Sequence, residues 1–211
     1  MRRMIAAALL AMVLTGCAVP SEQADASAEF APVIQARTAQ AEGMSSSMVE
    51  SSARPLLEEE ILEAYDRAVW VYGWFDLTPL PVSEESRSID GQDYDRVDME
   101  GMEDLEDLRA YLRGVFSKDL TDRLLDGKSA RIQYREVEGA LYALGSGRER
   151  NAYVGAAYVE TEQFGETEYE VNVLVELLDE DGETVAGLES WSFPYVFEDD
   201  RWVFTDFRLV Y

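Results

Sequence analysis

The stretch DGQDYDRVD sets four carboxylates, Asp90, Asp93, Asp95 and Asp98, within nine residues. Oxygen ligands at that density suit a hard cation such as calcium. The spacing departs from a helix–loop–helix calcium loop: Gly91 follows the first aspartate directly, and the twelfth position is Gly101 instead of a glutamate. Paired carboxylates also perform acid–base work on glycosides, but with 43 acidic residues no pair stands out. The segment GSGRER, Gly145 to Arg150, has glycines and arginines but lacks the spacing and the lysine of a phosphate loop. Histidine is absent and Cys17 is the only cysteine. Ser-His-Asp and Cys-His catalysis are therefore excluded, together with the commonest metal ligand. The reading is a protein that is not an enzyme, with no catalytic residue, no metal and no cofactor.

One chemistry remains for the thiol. Arg2 and Arg3 precede an unbroken apolar run, Met4 to Leu14, and Leu14-Thr15-Gly16 leads into Cys17. A positive start, an apolar run and small residues before a cleavage point make up a secretory signal. The run is too short to span a bilayer, which takes about 20 residues. Leu-Thr-Gly-Cys resembles a bacterial lipobox, in which the cysteine is lipidated and becomes the first mature residue. Residues 1–16 are then a lipoprotein signal peptide, and Cys17 is the lipidation site. The expected location is extracytoplasmic, in the cell envelope, anchored to a membrane by acyl chains only.

Residues 17–54 carry the anchor cysteine and a segment rich in Ala, Ser, Gln and Glu, including MSSSMVESS. That composition reads as a flexible tether with an end-to-end distance of about 30 Å. The formal net charge is −25, and loss of Arg2 and Arg3 with the signal brings the mature chain to −27. Such a body repels nucleic acid and anionic membrane surfaces and favours basic proteins or cations.

Residues 55–211 have the length of a single domain. After Pro55, the residues Leu57, Ile61, Ala64, Ala68, Tyr72 and Phe75 recur at helical spacing, and Gly73 with Pro79-Leu80-Pro81 marks the end. Pro81 to Gly101 reads as a long acidic loop with a short strand at Tyr94 to Val97. Two further helices follow. One buries Leu105, Leu108, Leu112 and Phe116; the other is capped by Ser117, carries Leu120 and Leu124, and closes at Gly127. The period then changes to two. Strands are expected over Arg131–Val137, Ala140–Leu144, Asn151–Glu162, Tyr169–Leu177, Trp191–Phe197 and from Trp202 onward. Glu138-Gly139, Asp181-Gly182 and Asp199-Asp200 are the turns. Pro194 points to an edge or a bulge, and Trp191, Phe193 and Trp202 are expected to be largely buried. Helices first and then about six meandering antiparallel strands give an α+β fold with a curved sheet; that order of elements resembles the plan of cystatin-like and nuclear-transport-factor-2-like domains.

The segments AYDRAVWVYGWF, YDRV, EDLEDLRAYLRGVFSKDLTDRLLD, EGALYALGSG and DRWVFTDFRLV occur in an order that resembles the IseA family over about Pro55 to Tyr211. Members of that family are secreted inhibitors of cell-wall DL-endopeptidases. The resemblance implies a protein that blocks the substrate cleft of an NlpC-type peptidoglycan hydrolase by protein–protein contact. Contact is expected at Asp93, Tyr94, Asp95, Asp98 and Met99, apolar anchors among charges, with the Gly145 to Arg150 turn as second choice. The alternative is a lipoprotein that binds a small ligand or peptide between helix and sheet, against Trp70, Trp74 and Trp191.

Overall fold

The computed structural model describes residues 54–126, 132–145 and 147–210. They lie within one compact unit, Glu50–Tyr211. The signal, Cys17 and nearly all of the tether lie outside the described residues, as does Gly127.

Helix α1 spans Glu58–Asp76. Three glutamates in its first turn suit the helix dipole, and Glu60 accepts a hydrogen bond from the Leu57 N–H at 2.8 Å. Arg54 also pairs with Glu60; that bond, the larger cause, and the Leu57 N–H hold the Glu60 carboxyl down to about 2. The helix ends where the Gly73 carbonyl accepts from Leu77 and Thr78. Its buried face is rotated from the expected stripe: Ile61, Tyr65, Ala68, Val71 and Trp74 are sequestered, whereas Leu57 is 67% exposed. Ala64, Tyr72 and Phe75 pack at the flanks.

The expected long loop is a hairpin. Strands β1 (Val82–Ile89) and β2 (Gln92–Val97) are joined by Asp90-Gly91, both at positive φ. An Asp-Gly pair in that conformation matches the twist of the flanking strands. Most of β1 is exposed, so no apolar alternation marks it in the sequence. Helices α2 (Leu105–Arg113) and α3 (Lys118–Asp126) come after this hairpin. The helices are therefore not all N-terminal, which corrects the expected helices-then-strands order. The Asp104 carboxylate caps α2, accepting from the Glu106 and Asp107 N–H groups at 2.9 Å. Ser117 caps α3 through the Leu120 N–H.

Strands β3 (Tyr134–Val137) and β4 (Ala140–Leu144) complete an antiparallel sheet I in the order β1-β2-β4-β3. Sheet II is a four-stranded antiparallel meander: β5 (Val154–Gln163), β6 (Glu168–Leu178), β7 (Val185–Glu198) and β8 (Arg201–Phe204). The fold is α+β, with two four-stranded sheets instead of one. Between α2 and α3 the chain runs alongside β8, with Ser117 N–H donating to Phe204 O and Phe204 N–H to Val115 O.

One core joins the layers. Val171, Val173 and Val175 of β6, together with Phe193 and Tyr195 of β7, face Ile61, Tyr65 and Ala68 of α1. Val97, Tyr134, Leu141 and Ala143 of sheet I join the same cluster. Phe207, past β8, stacks among Tyr65, Tyr72, Phe116, Phe193 and Phe204. Phe193 is buried as expected, but Trp191 and Trp202 are half-buried. The Arg208 guanidinium covers the Trp191 ring at 3.2 Å. The Pro194 carbonyl accepts from Thr205 N–H. Its missing N–H therefore falls on that same side, where β8 has ended and no ladder bond is lost.

The β6–β7 tip yields a pH prediction. The Asp181 carboxylate accepts from Thr184 Oγ1 at 2.6 Å, Thr184 N–H at 2.8 Å and Glu183 N–H at 2.9 Å. These bonds, the Thr184 hydroxyl first, hold its carboxyl down to about 2 from 3.8. A lowered folded value adds stability above the unfolded value, and this is lost as pH falls from 3.8 toward 2. Asp181→Ala should thus lower the thermal midpoint at pH 6 and converge on the parent near pH 2, as read by circular dichroism melts. An equal deficit at both values would exclude the carboxylate as the cause.

Candidate binding surface

The hairpin β1–β2 separates the five expected contact residues. Along β2, Asp93 and Asp95 share a face with Val97, which turns toward the main core. Tyr94 lies on the opposite face and is 1% exposed, in a small cluster with Tyr142 and Leu144. Its hydroxyl donates to the Ile132 carbonyl at 2.7 Å. Tyr94 is therefore an internal strut, which corrects its expected role as a contact anchor. Met99 is half-buried and packs on the main core, while Asp98 is exposed. The sequence places Tyr94 at the start of a short strand, but only the pairing Tyr94↔Leu144 reveals what covers it.

Charges on the Tyr94 side pair with one another. Glu85 accepts from Tyr142 Oη at 2.8 Å and from Arg96 at 3.1 Å. The Tyr142 hydroxyl and then Arg96 hold the Glu85 carboxyl below the usual range, while the same Glu85 bond pushes the Tyr142 phenol up. Arg87 bridges Glu85 and Glu138, and Arg135 reaches Asp90. The hairpin is less negative than DGQDYDRVD suggests, because arginines from β1, β2 and β3 lie against it. Among the described residues no group of three or more acidic side chains is placed to hold a metal.

The second expected contact segment adjoins the first. A Cβ on Gly145 would lie 3.1 Å from Asp95 Oδ2, and Asp95 is opposite Ala143. Arg148 donates to Asp76 through both its side chain and its backbone N–H.

The tryptophans of the ligand-cavity alternative do not converge. Trp74 is buried against Trp70 and Tyr111, Trp70 is 39% exposed, and Trp191 lies under Arg208. A cavity of about 110 Å³ is present elsewhere, between α2, α3 and the β7–β8 turn, lined by Arg113, Ser117, Lys118, Glu198 and Arg201 among others. Ligand pockets for drug-sized molecules run to roughly 300 Å³ or more. A second depression beside Asp119, Asp122, Arg123 and Thr205 is open to solvent. Neither touches the space between α1 and sheet II, which is filled by aromatic rings.

No family model matches the chain, and no curated protein matches it. Among the described residues no helix is long and apolar enough to cross a membrane.

Proposed function

We propose that the chain is an extracytoplasmic lipoprotein that binds a cell-wall DL-endopeptidase of the NlpC type and covers its substrate cleft. The observation that favours a protein-binding role over a ligand carrier is the filled space between α1 and sheet II. A chain with neither histidine nor a second cysteine supports inhibition by contact without chemistry. The partner class rests on the ordered segments that resemble the IseA family. In this reading α1 packed on the β5–β8 meander is the helix-on-sheet part of a cystatin-like plan, and sheet I is an addition to it. Asp93, Asp95 and Asp98 act as steering charges for a basic enzyme, and Met99 stays with the core.

Steering acts on encounter, so raising salt should slow association more than it speeds dissociation. Surface-immobilised endopeptidase and the full chain in solution give both rates. Salt-independent association with a salt-sensitive off-rate would oppose electrostatic steering.

Attachment is proposed at the Cys17 sulfur. Cys17→Ala should abolish incorporation of a metabolically supplied fatty acid and release the protein from the membrane fraction. Equal labelling of parent and variant would contradict it.

A further inference from the structure

The face of sheet II turned away from α1 is built differently from the rest of the surface. Along β6, Tyr169, Val171, Val173 and Val175 point into the core, so Glu170, Asn172, Leu174 and Glu176 point outward. The cross-strand register places Tyr158 of β5 directly opposite Leu174, and Leu188 of β7 opposite Glu176 and diagonal to Leu174. Tyr158, Leu174 and Leu188 are 53%, 38% and 59% exposed. One apolar patch thus crosses three adjacent strands. The Tyr158 hydroxyl donates to Glu176 at 3.1 Å, which holds the ring against the sheet.

The charge around this patch has one sign. From Asn151 to Asp200 the chain contains fourteen acidic residues and no lysine or arginine. On the same face Glu162 lies directly opposite Glu170, and Glu160 opposite Asn172. Like charges facing each other across a strand pair are unfavourable, and no cation from β5, β6 or β7 relieves them. The β1–β2 hairpin has arginines woven through it; strands β5, β6 and β7 contribute none to this face.

We propose that the solvent face of β5–β6–β7 is the docking surface for a basic protein, with Tyr158, Leu174 and Leu188 as the apolar centre and Glu160, Glu162 and Glu170 as the acidic border. The proposal rests on the binding role above for its partner and adds where that partner sits and what chemistry recognises it. Apolar anchors encircled by polar groups are the arrangement that concentrates binding energy. A partner with lysines or arginines around an apolar protrusion would relieve the Glu162–Glu170 repulsion while burying the patch. A second copy of this chain would bring like charge against like, and an anionic membrane surface would be repelled in the same way.

Two arms test the surface and the partner separately. In the first, isotope-labelled full chain is titrated with an acetylated peptide, Lys-Leu-Lys-Trp-Lys-Leu-Lys, and amide shifts are mapped by NMR. Shifts centred on Tyr158, Leu174 and Leu188 are expected. Glu160→Gln combined with Glu162→Gln and Glu170→Gln should weaken binding about tenfold at low salt. Shifts centred on Asp93 to Asp98, or spread evenly over the acidic surface, would overturn the proposal. In the second arm, Tyr158→Ala with Leu188→Ala, both at exposed positions that leave the core intact, is compared with the parent for binding purified DL-endopeptidase. A rise in off-rate of about tenfold or more supports the surface. Unchanged binding by this variant, with loss in an Asp93, Asp95 and Asp98 triple neutralisation, overturns the surface and leaves the inhibitor reading standing. A peptide map on this face, with no endopeptidase bound by the parent, supports the surface and removes the endopeptidase as the partner.

Discussion

Phe207→Ala should destabilise the protein by about 3–5 kcal/mol, the usual cost of truncating a core phenylalanine. The residue follows the last strand and carries no regular structure of its own, yet it is 3% exposed. Its ring centroid lies 4.7 Å from that of Phe193, 5.2 Å from Phe204 and 5.7 Å from both Tyr65 and Tyr72. It therefore joins α1, β7 and β8, and nothing beside it can collapse into the space without moving one of them. Against a total stability of about 5–15 kcal/mol, the loss is large. Phe207→Leu keeps most of the volume and should cost under about 1.5 kcal/mol. Phe164→Ala, at a position 58% exposed, should change stability by no more than about 0.5 kcal/mol. Urea unfolding at one temperature compares all three. A Phe207→Ala variant within 1 kcal/mol of the parent, on the scale of a surface substitution, would mean that this ring does not join the layers.

The second large effect concerns one hydroxyl. Tyr134 donates to the Trp74 carbonyl at 3.1 Å and accepts from the Leu80 N–H at 3.0 Å. Both backbone groups belong to the stretch where α1 ends, and Tyr134 is on β3, so this oxygen ties sheet I to the helix. Tyr134→Phe keeps the ring and leaves a buried donor and a buried acceptor without partners, at about 1–3 kcal/mol. Burial also pushes the Tyr134 phenol up, and that of Tyr195 to about 12. A raised phenol adds stability that is complete below the ordinary value of 10 and is lost as pH rises through 10 toward 12. The parent should therefore lose stability across that alkaline window, and Tyr134→Phe should be weakened already at pH 7. Matching unfolding midpoints at pH 7 would show that the two backbone groups find other partners.

Local signals in the sequence carried much of this fold. Ser117 before Leu120, and Asp181-Gly182 and Asp199-Asp200 between alternating runs, each have a short-range cause, and each occurs where it was expected. The β1–β2 hairpin carries no periodic signal, because Ser83 to Ser88 is polar at every position. Asp90-Gly91 is the one local hairpin signal there, and it sits within a run of aspartates that also resembles a cation loop. The order of sheet I depends on pairing between β2 and β4, whose partners, such as Tyr94 and Leu144, are about fifty residues apart, and neither local pattern specifies it. Tyr94 shows the cost for the site. Flanked by aspartates it reads as an exposed anchor, whereas opposite Leu144 in the sheet it is core. The absence of cations from Asn151 to Asp200 was legible in the sequence. Its meaning was not, because only the register places Tyr158, Leu174 and Leu188 together on one face.

The most direct test of the inhibitor reading is hydrolysis of purified peptidoglycan by DL-endopeptidases from the same cell, with rising amounts of the full chain. Hydrolysis by at least one such enzyme should fall toward zero as the chain approaches molar equivalence, and the chain alone should release no peptide from the wall. Full activity of every such enzyme at a large molar excess of the chain would contradict the proposal.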